Sequence, residues 1–323
     1  MQVNWGLIST AHINELFLAG ARQSDELEVL AVASRDAATA ERYAREHDIE
    51  RAYGSYDALL ADPAIDVVYV SLPNSLHIEW SIKALEAGKH VLCEKPLSRR
   101  ASQVKEAFDA AQRADRLLME AFMFRHNPQT RKLTELVADG AIGRVRVIRS
   151  SFSFVAADPS NVRLMRHLDG GGLMDVGCYC VSASRLLGGR PERVSGEQLL
   201  GGDGVDVVFA GILQFPGEVV AHFDCGLALT ARDDLEVVGD QGSLFLDDPW
   251  HCRRPVIELR RPERTELIEL DQLDSYMLQA ENMSAAIRGE QEPLLGRDDA
   301  VAQARTIEAL YQAADGSEVV QLD

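Results

Sequence analysis

With 323 residues, 46% of them apolar and 26% charged, the chain has an ordinary globular balance that excludes a disordered protein. Its length exceeds what one hydrophobic core usually serves, so two domains or one large α/β domain are expected. A formal net charge of −18 disfavours nucleic acid and anionic membrane as whole-protein partners, because polyanions reward basic patches and only short Arg-Arg runs occur.

From residue 1 to about 122, short β-branched runs alternate with amphipathic helical stretches. VNWGLIS precedes a helix from about Ala11, LEVLAVAS one from about Ala37 to His47, and DVVYVSL one from His77 to Ala87. HVLCEKP leads into QVKEAFDAAQRA, where Val104, Ala107, Phe108 and Ala111 recur at helical spacing. Repeated βαβ units of this kind imply a doubly wound parallel sheet, which binds ligands beyond the carboxyl ends of its strands. From 123 to 323, longer alternating runs (VRVIRSSFSF, VVFAGILQFP, EVVAHFDCGL, DLEVVGDQGSLFLDD and VIELRR) predict a large, mostly antiparallel open sheet. One helix, from about Gly172 to Leu187, interrupts it, and a last one near Arg297 to Ala314 closes the chain. The expected class is therefore α/β, with the active site between the two parts.

The turn after the first strand lacks the glycines of G-x-G-x-x-G, reading instead Ser9, Thr10, Ala11, His12, Ile13 and Asn14. Ser9 and Ala11 are the smallest replacements that carry a Cβ, and Thr10 could offer its hydroxyl to a phosphate beside the helix amides. Asn14 is larger and must point away from the sheet. At the end of the second strand, Ser34 and Arg35 stand where an NAD enzyme holds an acidic residue for the ribose hydroxyls. An arginine there pairs with a 2′-phosphate, so the sequence leans to NADP over NAD; alternatively Arg35 is a solvated helix-start residue beside Asp36.

Glu94, Lys95 and Pro96 lie just past the end of a strand. A cis bond at the proline would aim the lysine sideways into the crevice; otherwise this is a strand-ending turn with an exposed lysine. Farther on, Gly170, Gly171 and Gly172 precede a helix on which Asp175 and Tyr179, spaced i and i+4, share one face. A carboxylate and a phenol so placed can orient a hydroxyl substrate and exchange a proton with it, although each also has an ordinary role, as dipole partner and as core. The five cysteines, at 93, 178, 180, 225 and 252, follow no zinc or redox spacing and are expected to be reduced thiols. No apolar run approaches the roughly 18 residues of a membrane span, and the chain opens on a strand-like segment without a leader pattern, so a cytoplasmic location is expected.

Taken in order, WGLISTAHI, AVASRD, PNSLH, CEKPL, MEAFMFRHNPQ, NVRL, GGGLMDVGCYCV and VVGDQGSLFLDDP resemble the Gfo/Idh/MocA family of NAD(P)-dependent oxidoreductases. The resemblance runs along nearly the whole chain and is closest to the branch of dihydrodiol dehydrogenases and NADP-dependent D-xylose dehydrogenases, which also tolerates a degraded glycine motif. It implies a Rossmann domain over 1–122 and an α+β substrate and oligomerisation domain over 123–323, the final helix packing back on the first. It further implies cofactor contacts from Ser9 to Ile13 and from Ser34, Arg35, Ser71, Leu72, Pro73, Asn74, His77, Glu94, Lys95 and Arg163. Tyr179 becomes the general acid/base, its phenol lowered from about 10 by the Lys95 ammonium. Many family members carry His in place of Tyr179, which leaves Lys95 itself open as the base. Asp175, Arg125, Arg163 and Phe154 join Lys95 and Tyr179 around the substrate, with a structural role as the equal alternative for Arg125; Phe124, Phe152 and Phe154 either line a sugar's apolar face or, the favoured alternative, fill the sheet. Hydride passes directly to the nicotinamide, so no metal is required. The implied substrate is a neutral carbohydrate or cyclic diol, an aldopyranose oxidised at its anomeric carbon being the first choice. A trans-dihydrodiol, a 1,5-anhydro-ketose and a glycoside oxidised at a ring carbon are the runners-up. A non-catalytic NADP-binding regulatory protein is the alternative of another class. One face of the second sheet is expected to pair with a second subunit, giving a homodimer or higher homo-oligomer.

Overall fold

The computed structural model describes residues 2–322. The first sheet contains β1 (Val3–Ile8), β2 (Leu27–Ala33), β3 (Arg51–Tyr53), β4 (Val67–Val70), β5 (His90–Glu94) and β6 (Leu118–Ala121) in the order β3-β2-β1-β4-β5-β6. Every neighbouring pair in it is parallel. The connecting helices are α1 (Ile13–Ala21), α2 (Ala37–Glu46), α3 (Tyr56–Leu60), α4 (His77–Glu86) and α5 (Ala101–Ala114). Every residue of β4 is buried, as a strand covered on both faces requires, which is why its sequence is an unbroken apolar run. Trp5 and Tyr69 sandwich Phe17 of α1, at ring distances of 5.2 and 4.3 Å, and fasten the first crossover to the sheet. The strand order reverses between β1 and β4, and ligands of doubly wound sheets bind at that switch point.

The remaining helices are α6 (Pro128–Ala138), α7 (Cys178–Gly188), α8 (Ser275–Ile287) and α9 (Arg297–Gly316). The second sheet is built from β7 (Val145–Val155), β8 (Arg193–Leu200), β9 (Asp206–Phe215), β10 (Val219–Gly226), β11 (Ala228–Gly239), β12 (Ser243–Asp247), β13 (Val256–Arg261), β14 (Arg264–Glu269) and β15 (Val320–Gln321). Their order is β14-β13-β12-β11-β7-β10-β9-β8-β15, antiparallel throughout except where β7 meets β10. Alternation sets its two faces: in β9, Phe209, Leu213 and Phe215 are buried while Ala210 and Ile212 are exposed.

Two compact units emerge. The first holds the chain up to Ser98, Ser102–Met123 and Asp274–Val301; the second holds Arg99–Ala101, Phe124–Leu273 and the chain from Ala302 onward. The expected division is a single boundary at 122/123, with the last helix returning to the first domain. Here α8 returns, and α9 belongs to the second unit from Ala302. The return has a steric basis. Gly20 of α1 lets the start of α8 approach so closely that a Cβ there would lie 2.6 Å from the Met277 amide nitrogen. Trp5 in β1 donates its indole N–H to the Ser284 hydroxyl of α8 at 3.2 Å.

Candidate functional site

In the first unit, the turn after β1 keeps a dinucleotide-binding form without glycine. Ser9 itself takes the positive φ, 111°, that a glycine would supply. Such a conformation costs about 1–3 kcal/mol in a residue with a Cβ, and its hydroxyl offsets part of this by accepting the Ala11 amide at 3.1 Å and pairing with the Ser71 hydroxyl at 2.9 Å. Asn14 does not point away, as the sequence reading required. It is fully buried, and its side-chain amide donates to the Ser9 carbonyl at 2.9 Å, tying helix to turn. No side chain caps the start of α1, and His12 points outward to Glu15 at 3.1 Å. Amides at an uncapped helix start beside Ser9, Thr10, Ala11 and Ile13 suit a pyrophosphate.

At the end of β2, Ser34 is buried and Arg35 exposed. Asp36 is committed to capping α2, accepting the Thr39 amide at 2.8 Å, so it is not the partner of Arg35. Among the described residues Arg35 makes no ion pair. Beyond β4, Ser71 and Leu72 are buried while Pro73 and Asn74 are partly accessible. His77 was expected to line the cofactor, yet it is buried with both ring nitrogens against main-chain oxygens, Pro96 at 2.9 Å and Leu72 at 2.8 Å. It therefore ties the segment after β4 to the Glu94–Pro96 turn. The Lys95–Pro96 bond is cis. The Glu94 carboxylate accepts the Tyr69 hydroxyl and, at 3.2 Å, the Lys95 amide, and Lys95 is half-buried.

In the second unit, the helix predicted from Gly172 is not uniform. A π-helical turn, Leu173–Gly177, precedes α7. Asp175 therefore sits in a widened turn, a feature that recurs at functional sites. Its carboxylate accepts from Arg163 Nε at 2.7 Å, and the guanidinium lies 5.9 Å from the centre of the Phe154 ring. Tyr179 is nearly buried in an aromatic enclosure of Phe152 (5.3 Å), Phe124 (5.7 Å) and Trp250 (5.9 Å). Arg125 donates to the Ser182 hydroxyl on α7 at 3.2 Å, so it bears on the same helix.

Several neighbours escaped the sequence reading. Trp250 had no signal beyond being aromatic. His126, next to Arg125, is fully buried, and burial pushes it down to about 3, so it is neutral. Asp233, Asp248 and His251 bring ligand-type atoms within 4.8 Å of one another, but Arg253 forks onto Asp248 at 2.8 and 3.0 Å, meeting the cluster's charge with a guanidinium.

Residues 3–122 match the oxidoreductase family with an NAD-binding Rossmann fold, and residues 130–245 match the GFO/IDH/MocA C-terminal domain. Together these define the class, an oxidoreductase whose dinucleotide-binding domain precedes a second, sheet-built domain. The chain is 37% identical to D-xylose 1-dehydrogenase (NADP(+)) 2 of Haloferax volcanii, over 99% of each chain. It is 35% identical to trans-1,2-dihydrobenzene-1,2-diol dehydrogenase of Homo sapiens, over 78% of this chain and 76% of that one. Among solved structures, aldose-aldose oxidoreductase from Caulobacter crescentus complexed with glycerol superposes with a TM-score of 0.93 over 100% of both chains, at 27% identity. A 3-ketoreductase from Actinomadura kijaniata in complex with NADP and TDP-benzene gives 0.91 over 97% and 98%, at 30% identity. The chain belongs to the Gfo/Idh/MocA family of oxidoreductases.

Proposed function

We propose that this oxidoreductase transfers hydride between NADP and a cyclic polyol or aldose, oxidising an aldopyranose such as D-xylose or D-glucose at the anomeric carbon. The observation that carries the cofactor choice is Arg35, exposed at the end of β2 where an acidic residue would serve NAD. The relatives named for NADP and for aldoses support the same reading.

A dinucleotide held at the Ser9–Ile13 turn and by Arg35 would supply the hydride acceptor. Tyr179 takes the hydroxyl proton as the C–H bond gives up its electron pair, and returns it in the reverse direction. Lys95 polarises the reacting oxygen and stabilises the phenolate. Arg163 fixes Asp175, whose carboxylate accepts a hydrogen bond from a neighbouring ring hydroxyl. The purified protein, offered NADP⁺ or NAD⁺ with aldoses, anhydrosugars and trans-diols, is expected to reduce NADP⁺ with an aldose. Silence with every aldose, together with turnover of another substrate class, would move the reading to that class.

Arg35→Glu is expected to lower kcat/KM with NADP⁺ by roughly 100-fold, the effect of about 1.5–3 kcal/mol from a charge-assisted bond. NAD⁺ should be affected far less. An unchanged ratio between the two cofactors would remove Arg35 from the 2′-phosphate.

The proposal extends to a homodimer through the outward face of the second sheet. Leu199, Ile212 and Val220 stand on that face, exposed by 64%, 50% and 37%. Sedimentation should show a dimer that Ile212→Lys splits; a wild-type monomer would refute the interface. Five free, buried cysteines suit a reducing, cytoplasmic setting.

A further inference from the structure

The run Gly170, Gly171, Gly172 leads into the π-helical turn, yet Gly172 has no side chain with which to cap it. The cap comes from 33 residues away. Asp206, the first residue of β9, accepts the Leu173 amide through Oδ2 at 2.6 Å and the Tyr311 hydroxyl of α9 through Oδ1 at 2.7 Å. Its carboxylate fills the space that the glycines leave: a Cβ on Gly171, where φ is 130°, would lie 2.2 Å from Oδ1, and one on Gly172 3.3 Å from Oδ2. Arg99 backs this seat. Its guanidinium lies 4.5 Å from the centre of the Tyr311 ring, pairs with Asp169 at 3.1 Å and donates to the Gly170 carbonyl at 3.3 Å. From the seat the chain runs directly into the reacting groups. The Asp175 amide bonds the Gly171 carbonyl at 3.0 Å, the Gly171 amide bonds the Arg163 carbonyl at 2.9 Å, and Arg163 Nε closes the loop on Asp175.

We propose that Asp206 is a positioning residue for hydride transfer, its carboxylate fixing the turn Leu173–Gly177 so that Asp175 and Tyr179 hold their places on the substrate. The proposal rests on the reading of Tyr179 as acid/base. A charged acceptor at the first amides of a helix is stronger than a neutral one and matches the partial positive charge there. Both oxygens accept, as those of a carboxylate do, while burial pulls the other way and raises the carboxyl to about 6. A group needed only for folding would lower stability and leave the rate of the folded enzyme alone. A positioning group lowers kcat and couples to Tyr179.

Asp206→Asn, the double variant with Tyr179→Phe, and each single variant are compared with wild type. Asp206→Asn is expected to lower kcat by 10- to 100-fold, with KM and NADPH affinity, read by fluorescence, within about threefold. In the Tyr179→Phe background the same change should cost less than about threefold, because the phenol it serves is already gone. Amide deuterium uptake over residues 170–179 should rise in Asp206→Asn and in Tyr311→Phe, which removes one donor and serves if the asparagine variant does not fold. Losses that multiply in the double variant, kcat within twofold in Asp206→Asn, or unchanged uptake over 170–179 would overturn the assignment. Full turnover in Tyr179→Phe would instead overturn the acid/base reading, and uptake would still judge the seat.

Discussion

Lys95→Ala is expected to lower kcat by roughly 1,000-fold while leaving folding nearly unchanged. In the proposed reaction the ammonium polarises the substrate oxygen and stabilises the tyrosine's phenolate, and removing one such electrostatic group costs on the order of 10²–10³. The backbone that presents it does not depend on the side chain. Glu94 holds the Lys95 amide and is itself held by Tyr69, while His77 grips the Pro96 carbonyl. Truncating a half-buried side chain therefore removes charge and little packing. Steady-state kinetics with the best aldose, beside a thermal melt, checks this, and a variant within tenfold of wild type would strip Lys95 of its role.

The second large effect is on stability. Gly20→Val is expected to lower the melting temperature by about 6 °C or more, corresponding to roughly 3 kcal/mol. Two effects oppose each other at this site. Glycine inside a helix is worse than most residues by up to about 1 kcal/mol, so on propensity alone replacement should help α1. The added Cβ, however, meets the Met277 amide nitrogen at 2.6 Å, Asp274 Oδ1 at 2.8 Å and the Tyr276 Cβ at 3.0 Å. Asp274 caps α8 through the Tyr276 and Met277 amides, so nothing there can give way without unseating that helix. The steric term wins. A melt at or above the wild-type temperature would show that α8 moves aside freely.

The parallel sheet was legible because β1, β2, β4 and β5 are short β-branched runs between amphipathic helices. Strand β3, with three residues, was too short to carry a period, and β6 has no β-branched residue and is interrupted by Glu120, unlike the equally short β4, VVYV. Helix α6 announced itself and went unread: Asn127 accepts the Gln129 amide at 2.9 Å and Pro128 opens the first turn. Helix α8 had no stripe to read, since its buried residues include Ser275, Gln279 and Ser284 and no polar face opposes an apolar one. The E-K-P and D-x-G-x-Y motifs pointed to Lys95, Asp175 and Tyr179. The aromatic enclosure of Tyr179 and the Asp206 seat were invisible, because both join residues that only the folded sheet brings together.

The return of α8 also orders events during synthesis. The hydroxyl that receives the Trp5 indole N–H comes 279 residues later in the chain. At roughly 10 residues per second, the N-terminal sheet waits on the order of half a minute on the ribosome with the α1 groove at Gly20 uncovered. Strands β7 to β14 of the second sheet are synthesised within that interval. The dinucleotide-binding unit therefore closes only after β7 to β14 have been made, and the second unit, which takes α9 from Ala302 and β15, closes later still.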